Sequence, residues 1–144
     1  MYKHILIATD GSELADKAMA MGLALAKALK AKATVDTATE PWTAMVTGDA
    51  GFAFPVEDYE KAARENAARI LGAASAAAQK LEVACETVHV NDFPAEGIIE
   101  TAKAKGCDLI VMASHGRRGL ARVLLGSQAT RVVALSTLPV LICR

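Results

Sequence analysis

Apolar positions along this chain alternate between short continuous runs and helical stripes. His4 to Thr9 (HILIAT) is almost unbroken in apolar character, which predicts a strand covered on both faces, as in a parallel sheet. Asp10-Gly11-Ser12-Glu13 then opens a helix that either Asp10 or Ser12 can cap, and Leu14, Ala18, Met21, Leu25 and Leu29 recur at helical spacing as its expected buried stripe, ending near Ala31. Ala33 to Thr39 reads as a second strand, weakened by Asp36 and three threonines. Periodicity is lost from Glu40 to Pro55, where Pro41, Gly48, Gly51 and Pro55 act as breakers, so a long loop is expected there.

Val56 to Leu81 predicts a long alanine-rich helix with Tyr59, Ala63, Ala67, Ile70, Ala74 and Leu81 on one face. Val83 to Val90 alternates as a third strand, and Asn91-Asp92-Phe93-Pro94 turns the chain into a helix carrying Ile98, Ile99 and Ala102 and closed by Gly106. Asp108 to Ala113 is strand four, about Gly126 to Ser136 is a helix, and Pro139 to Cys143 is strand five. Strands alternating with helices, joined by right-handed crossovers, predict an α/β doubly wound parallel sheet with helices on both faces. Sheets of this class bind ligands outside the carboxyl ends of their strands, where the strand order reverses.

Composition narrows the function. At 144 residues the chain is expected to form one domain, 1–144, burying about two-thirds of its unfolded surface. Sixteen Lys plus Arg balance sixteen Asp plus Glu, so no global field draws in nucleic acid and any anion site must be local. Cys85, Cys107 and Cys143 form an odd set without C-x-x-C spacing, which fits a reducing compartment better than a disulfide framework or a zinc site. No apolar run approaches the length of a membrane span and no basic leader precedes the first strand, so a soluble cytoplasmic protein with no membrane partner is expected.

Chemistry concentrates between Asp108 and Gln128. Strand four ends in Ser114-His115-Gly116, and nine residues later Gly126-Ser127 opens the next helix. Glycine lets backbone N–H groups approach an anion, and a helix start adds unpaired N–H groups and a positive dipole end. Gly116, Gly126, Ser127 and the Gln128 amide are therefore the expected phosphate cradle; an ordinary helix start is the bland alternative. Arg117, Arg118 and Arg122 either screen a polyphosphate or form a solvated face. Asp10 either accepts a hydrogen bond from a ligand or caps its helix. His115 has no nucleophile with an orienting group beside it, the three histidines are scattered, and the Walker-type and G-x-G-x-x-G fingerprints are absent, so no catalytic or metal-ligating residues are assigned.

Three stretches together resemble the universal stress protein family, in its ATP-binding type: Thr9-Asp10-Gly11-Ser12, then Ala113-Ser114-His115-Gly116 followed after nine residues by Gly126-Ser127, and Pro139-Val140-Leu141-Ile142 at the close. The family motif is Gly-x-x-Gly, nine residues, then Gly-Ser or Gly-Thr, so Ala113 stands where it has glycine. The resemblance implies a Rossmann-like sheet of order 3-2-1-4-5, which brings Asp10 and Ala113-to-Gly116 to one crevice. It further implies ATP, with or without Mg2+, or another adenine nucleotide, held by Thr9, Asp10, Ala38, Met112, Ala113, His115, Gly116, Arg117, Gly126, Ser127 and Gln128. Ala38 and Met112 fall where the family meets the base. A homodimer through the last strand, Val140 to Cys143, and a stress-response role as sensor or scaffold complete what it implies, with hydrolysis slow at most. The rivals are a nucleotide-free dimeric scaffold and a slow ATPase or autophosphorylating enzyme using Ser127 or a neighbour.

Two local expectations follow. Alternation places Leu109, Val111 and Ala113 on one face of strand four and Ile110 and Met112 on the other, so if Met112 lines a base pocket the Ala113 methyl points mainly away. Four of the six aromatic residues, Trp42, Phe52, Phe54 and Tyr59, crowd the expected loop, which acts as a lid or partner surface or is pinned by its own side chains.

Overall fold

A computed structural model of the protein describes residues 1–45, 55–116 and 125–144. Its five strands are β1 (His4–Ala8), β2 (Lys32–Thr39), β3 (Cys85–Asn91), β4 (Leu109–Ala113) and β5 (Val140–Cys143). They pair in parallel in the order β3-β2-β1-β4-β5, a doubly wound Rossmann-like sheet as expected. The helices are α1 (Glu13–Leu29), the single turn α2 (Trp42–Met45), α3 (Val56–Leu81), α4 (Pro94–Lys105) and α5 (Ser127–Leu135).

Strand alternation divides the core in two. Ile5, Ile7, Val35, Leu109, Val111 and Ala113 pack with α1 and α3 through Leu23, Ala26, Ala74 and Ala78. Leu6, Ala8, Ile110 and Met112 pack with α4 and α5 through Ile98, Ala102, Ala129 and Val132. All five residues of β1 and all five of β4 are buried, which is why both read as continuous apolar runs.

The buried stripe of α1 is rotated from the expected one. Ala15, Ala18, Met19, Gly22, Leu23 and Ala26 face the sheet; of the expected stripe Ala18 is buried, Leu14, Leu25 and Leu29 pack against the core from its edge, and Met21 is 53% exposed. The helix is apolar on most of its circumference, so spacing alone offers two stripes, and close packing selects the one with smaller side chains. A Cβ on Gly22 would lie 2.8 Å from Ile7 Cδ1, so only glycine lets α1 come this near. Ser12 is the cap, its Oγ accepting from Ala15 N at 3.3 Å, while Asp10 Oδ1 accepts from Ser12 N at 2.9 Å and shapes the preceding turn.

Other boundaries shift little. β3 begins at Cys85 because Val83 still belongs to the close of α3: Glu82 adopts a left-handed conformation and the Val83 N–H donates to the Ala78 carbonyl. Gly106 ends α4 at φ +70°, as expected. The stretch expected as a loop from Glu40 contains the helical turn α2, and Tyr59 OH donates to the Glu40 carbonyl. Phe52 and Phe54 lie outside the described residues. No helix among the described residues is long and apolar enough to cross a membrane.

Candidate nucleotide site

Adjacent pairing of β1 and β4, with Ile7 opposite Val111, sets their carboxyl ends side by side. A crevice of about 890 Å³ opens there, within the range of small-ligand sites. Thr9 and Asp10 form one rim of it, Ala38 lies on the β2 side, and Met112, Ala113, His115 and Gly116 follow from β4. Gly126, Ser127 and Gln128 complete the opposite rim. Of the residues the sequence singled out, Arg117 lies outside the described residues, as do Arg118 and Arg122.

The glycines explain the shape of the rim. A Cβ on Gly116 would sit 2.8 Å from Asp10 Oδ2, so the missing side chain lets the Asp10 carboxylate lie against the turn after β4. Thr9 Oγ1 accepts from Gly11 N at 3.1 Å, which holds the β1 turn at the Gly11 φ of +79°.

Gly126 works differently from the expectation. Its N–H donates to the Ser114 carbonyl at 2.8 Å, so that donor is occupied and does not belong to an anion cradle. A Cβ there would meet two backbone atoms, Ser114 O at 3.0 Å and His115 Cα at 3.4 Å, so a side chain would crowd the turn that glycine lets close. Gln128 is also partly engaged, since its Oε1 accepts from Ala95 N at 3.0 Å and ties the start of α5 to the start of α4. What remains for an anion is the first turn of α5 itself. Its cap residue, Gly126, makes no side-chain hydrogen bond to it, and the N–H groups of Ser127, Gln128 and Ala129 precede any intrahelical partner.

Ser114 is buried, its N–H donating to the Cys143 carbonyl and its Oγ lying 3.0 Å from His115 Nδ1. This contact orients the imidazole at the crevice wall. Ala113 packs its methyl with Val111 in the α1–α3 core, and Met112 packs with Ile110 in the other, as alternation predicts.

In the sequence Asp36 reads only as a residue that weakens its strand. It lies on the crevice wall, 1% exposed, in register between Ala8 and Val88. Among the described residues, its two carboxyl oxygens are the buried side-chain polar atoms that lack a hydrogen-bond partner. Burial pushes its pKa up to about 7. The available signal was a single acidic residue inside an otherwise uncharged strand interior, two positions before Ala38. Among the described residues no group of three or more His, Cys, Asp or Glu is placed to hold a metal.

The whole chain, residues 1–144, matches the universal stress protein family. The protein belongs to that family. Universal stress protein YxiE of Bacillus subtilis (strain 168) is 32% identical over 148 residues, covering all of both chains. Universal stress protein MJ0577 of Methanocaldococcus jannaschii is 30% identical over 156 residues, covering 100% of this chain and 96% of that one. In its solved structure, described as a structure-based assignment of biochemical function, MJ0577 superposes with a TM-score of 0.82 at 26% identity, over 99% of this chain and 96% of the other. A universal stress protein solved in complex with cAMP superposes with a TM-score of 0.73 at 26% identity, over 99% and 97% of the two chains.

Proposed function

We propose that this universal stress protein binds an adenine nucleotide, ATP in the first instance, in the crevice between β1 and β4, and acts as a homodimeric sensor or scaffold. The observation that carries the reading is the start of α5, whose first N–H groups face a crevice of nucleotide size with no side-chain cap over them. The similar protein in complex with cAMP supports an adenine nucleotide as the occupant. In this reading Ser127, Gln128 and Ala129 hold phosphate oxygens through backbone N–H groups. Arg117 and, when present, Mg2+ offset the remaining charge. Asp10 and Thr9 meet the ribose side, and Ala38 and Met112 flank the base. His115 and Gly116 shape the wall between them, and the Ala113 methyl, packed into the core, leaves room for the sugar.

The three free cysteines suit a reducing cytoplasm. The partner surface in this reading is β5, the last strand of the sheet, with Leu141 37% exposed; its outer backbone groups are open to a second copy.

Calorimetric titration with ATP, ADP, AMP and cAMP tests the ligand, with saturable binding of at least one expected. Binding by none favours the nucleotide-free scaffold, and turnover that follows the protein through purification favours a slow ATPase. Ile142→Pro removes an N–H that points away from β4, since Pro139 and Cys143 face β4 and the residues between alternate, and it should shift the protein toward monomer in sedimentation. A folded variant that stays dimeric places the interface elsewhere.

A further inference from the structure

The two ends of the crevice differ in chemistry. At one end the start of α5 offers backbone N–H groups, which suit phosphate. At the other, Ala38, Tyr59, Ile70 and Ile98 make a largely apolar wall suited to a flat ring. Asp36 lies on the floor of this second end. Ala33 and Val35 pack into the α1–α3 core, so alternation turns Thr34, Asp36 and Ala38 toward α4 and α5.

The polar members of that face have unequal fates. Thr34 Oγ1 is 2.7 Å from His4 Nε2 and is satisfied within the fold. Asp36, one step nearer the crevice, has no donor for either oxygen among the described residues, and its strand neighbours in register, Ala8 and Val88, carry none in their side chains. A buried acceptor without a donor is destabilising, and such groups mark sites where a donor arrives from outside the fold. Asp10 does not duplicate it, because Asp10 Oδ1 accepts from Ser12 N and Oδ2 lies against Gly116 on the β4 side.

We propose that Asp36 reads the base: one of its carboxyl oxygens accepts a hydrogen bond from the exocyclic amino group of adenine when the phosphates rest on the start of α5. This rests on the nucleotide reading above and adds the residue that selects an amino-bearing base. The contact does not depend on the charge of Asp36, since a carboxylic acid retains a carbonyl acceptor.

The test compares ATP with purine riboside triphosphate, the same molecule with hydrogen in place of the 6-amino group, by calorimetry on wild type, Asp36→Asn and Asp36→Leu. Wild type should prefer ATP by about 10- to 100-fold, the range expected when a buried acceptor gains or loses its donor. Asp36→Asn, whose side-chain carbonyl still accepts, should keep most of that preference. Asp36→Leu should bind the two ligands alike. Should leucine crowd Ile98 and impair folding, Asp36→Ala removes the same acceptor without bulk and should give the same result. A purely structural carboxyl would leave the preference the same in every variant, and ATP binding to wild type without preference would likewise overturn the assignment while leaving the nucleotide site intact. Absence of binding by either triphosphate would overturn both.

Discussion

The two ends of this sheet treat their polar groups in opposite ways. At the amino ends of the strands the chain satisfies itself: Asp108 accepts from the Lys3 and His4 N–H groups at 2.9 and 3.1 Å, and His4 pairs with Thr34. Lys105 pairs with Glu86 along the same edge. At the carboxyl ends, the first turn of α5 takes no side-chain hydrogen bond from its cap residue and, among the described residues, the buried Asp36 carboxyl lacks a donor. Hydrogen bonds made within the chain stabilise the fold at the first end, and unmade ones reduce stability at the second. Satisfied and unsatisfied polar groups are thus separated along the strand axis.

The largest test of this contrast is pH. The folded pKa of Asp36, about 7, lies above its ordinary 3.8 because burial disfavours the charged form. Its relative stabilisation is therefore complete below pH 3.8 and is lost as pH rises through 7, a change of roughly 4 kcal/mol. Cys107, nearby, is pushed up to about 11 by burial and remains neutral through this window. Urea unfolding of wild type and Asp36→Leu should show their difference widening in favour of the variant from about pH 4 to about pH 8. A constant difference would mean that the carboxyl is satisfied and that the two ends are alike.

Next in size, Asp108→Ala should cost about 1–2 kcal/mol by leaving two N–H groups without their acceptor, with ATP affinity unchanged. A loss of affinity in a folded variant would mean that the two ends are coupled. Ala113→Gly should improve ATP affinity by less than about tenfold, or roughly 1.4 kcal/mol, because the methyl already packs into the core. If wild type fails to bind and this variant binds, the methyl is the obstruction. Smallest of all, Glu86→Gln should leave the melting temperature unchanged, since its pairing with Lys105 is a solvent-exposed ion pair; a measurable drop would give the lower edge an electrostatic role.

Much of this contrast is legible in one dimension. β1 and β4 declare themselves because burial on both faces demands unbroken apolar runs, and the Gly116–Gly126 spacing marks the rim because close backbone approaches require glycine. The role of Gly126 is less legible: spacing marks a close backbone approach there, whereas identifying Ser114 O as the atom a side chain would crowd requires the turn itself. The stripe of α1 is only partly legible: Ala18 is buried and Leu14, Leu25 and Leu29 pack against the core, but several helical faces are apolar, and the close approach of Gly22 to Ile7 centres the stripe away from Met21. Asp36 was missed for a related reason. A carboxyl that weakens a strand by propensity acquires its meaning from register and from the helix packed above it, and neither is written locally.

The bond from Tyr59 OH to the Glu40 carbonyl has a consequence for the length of the chain between them. By joining the first turn of α3 to the end of β2, it fixes both ends of the intervening stretch irrespective of what that stretch contains. Closure entropy then grows only logarithmically with added residues, about 0.6 kcal/mol for each doubling. The bond therefore sets where β2 and α3 sit relative to each other, so residues added between Glu40 and Tyr59 should leave both elements in place.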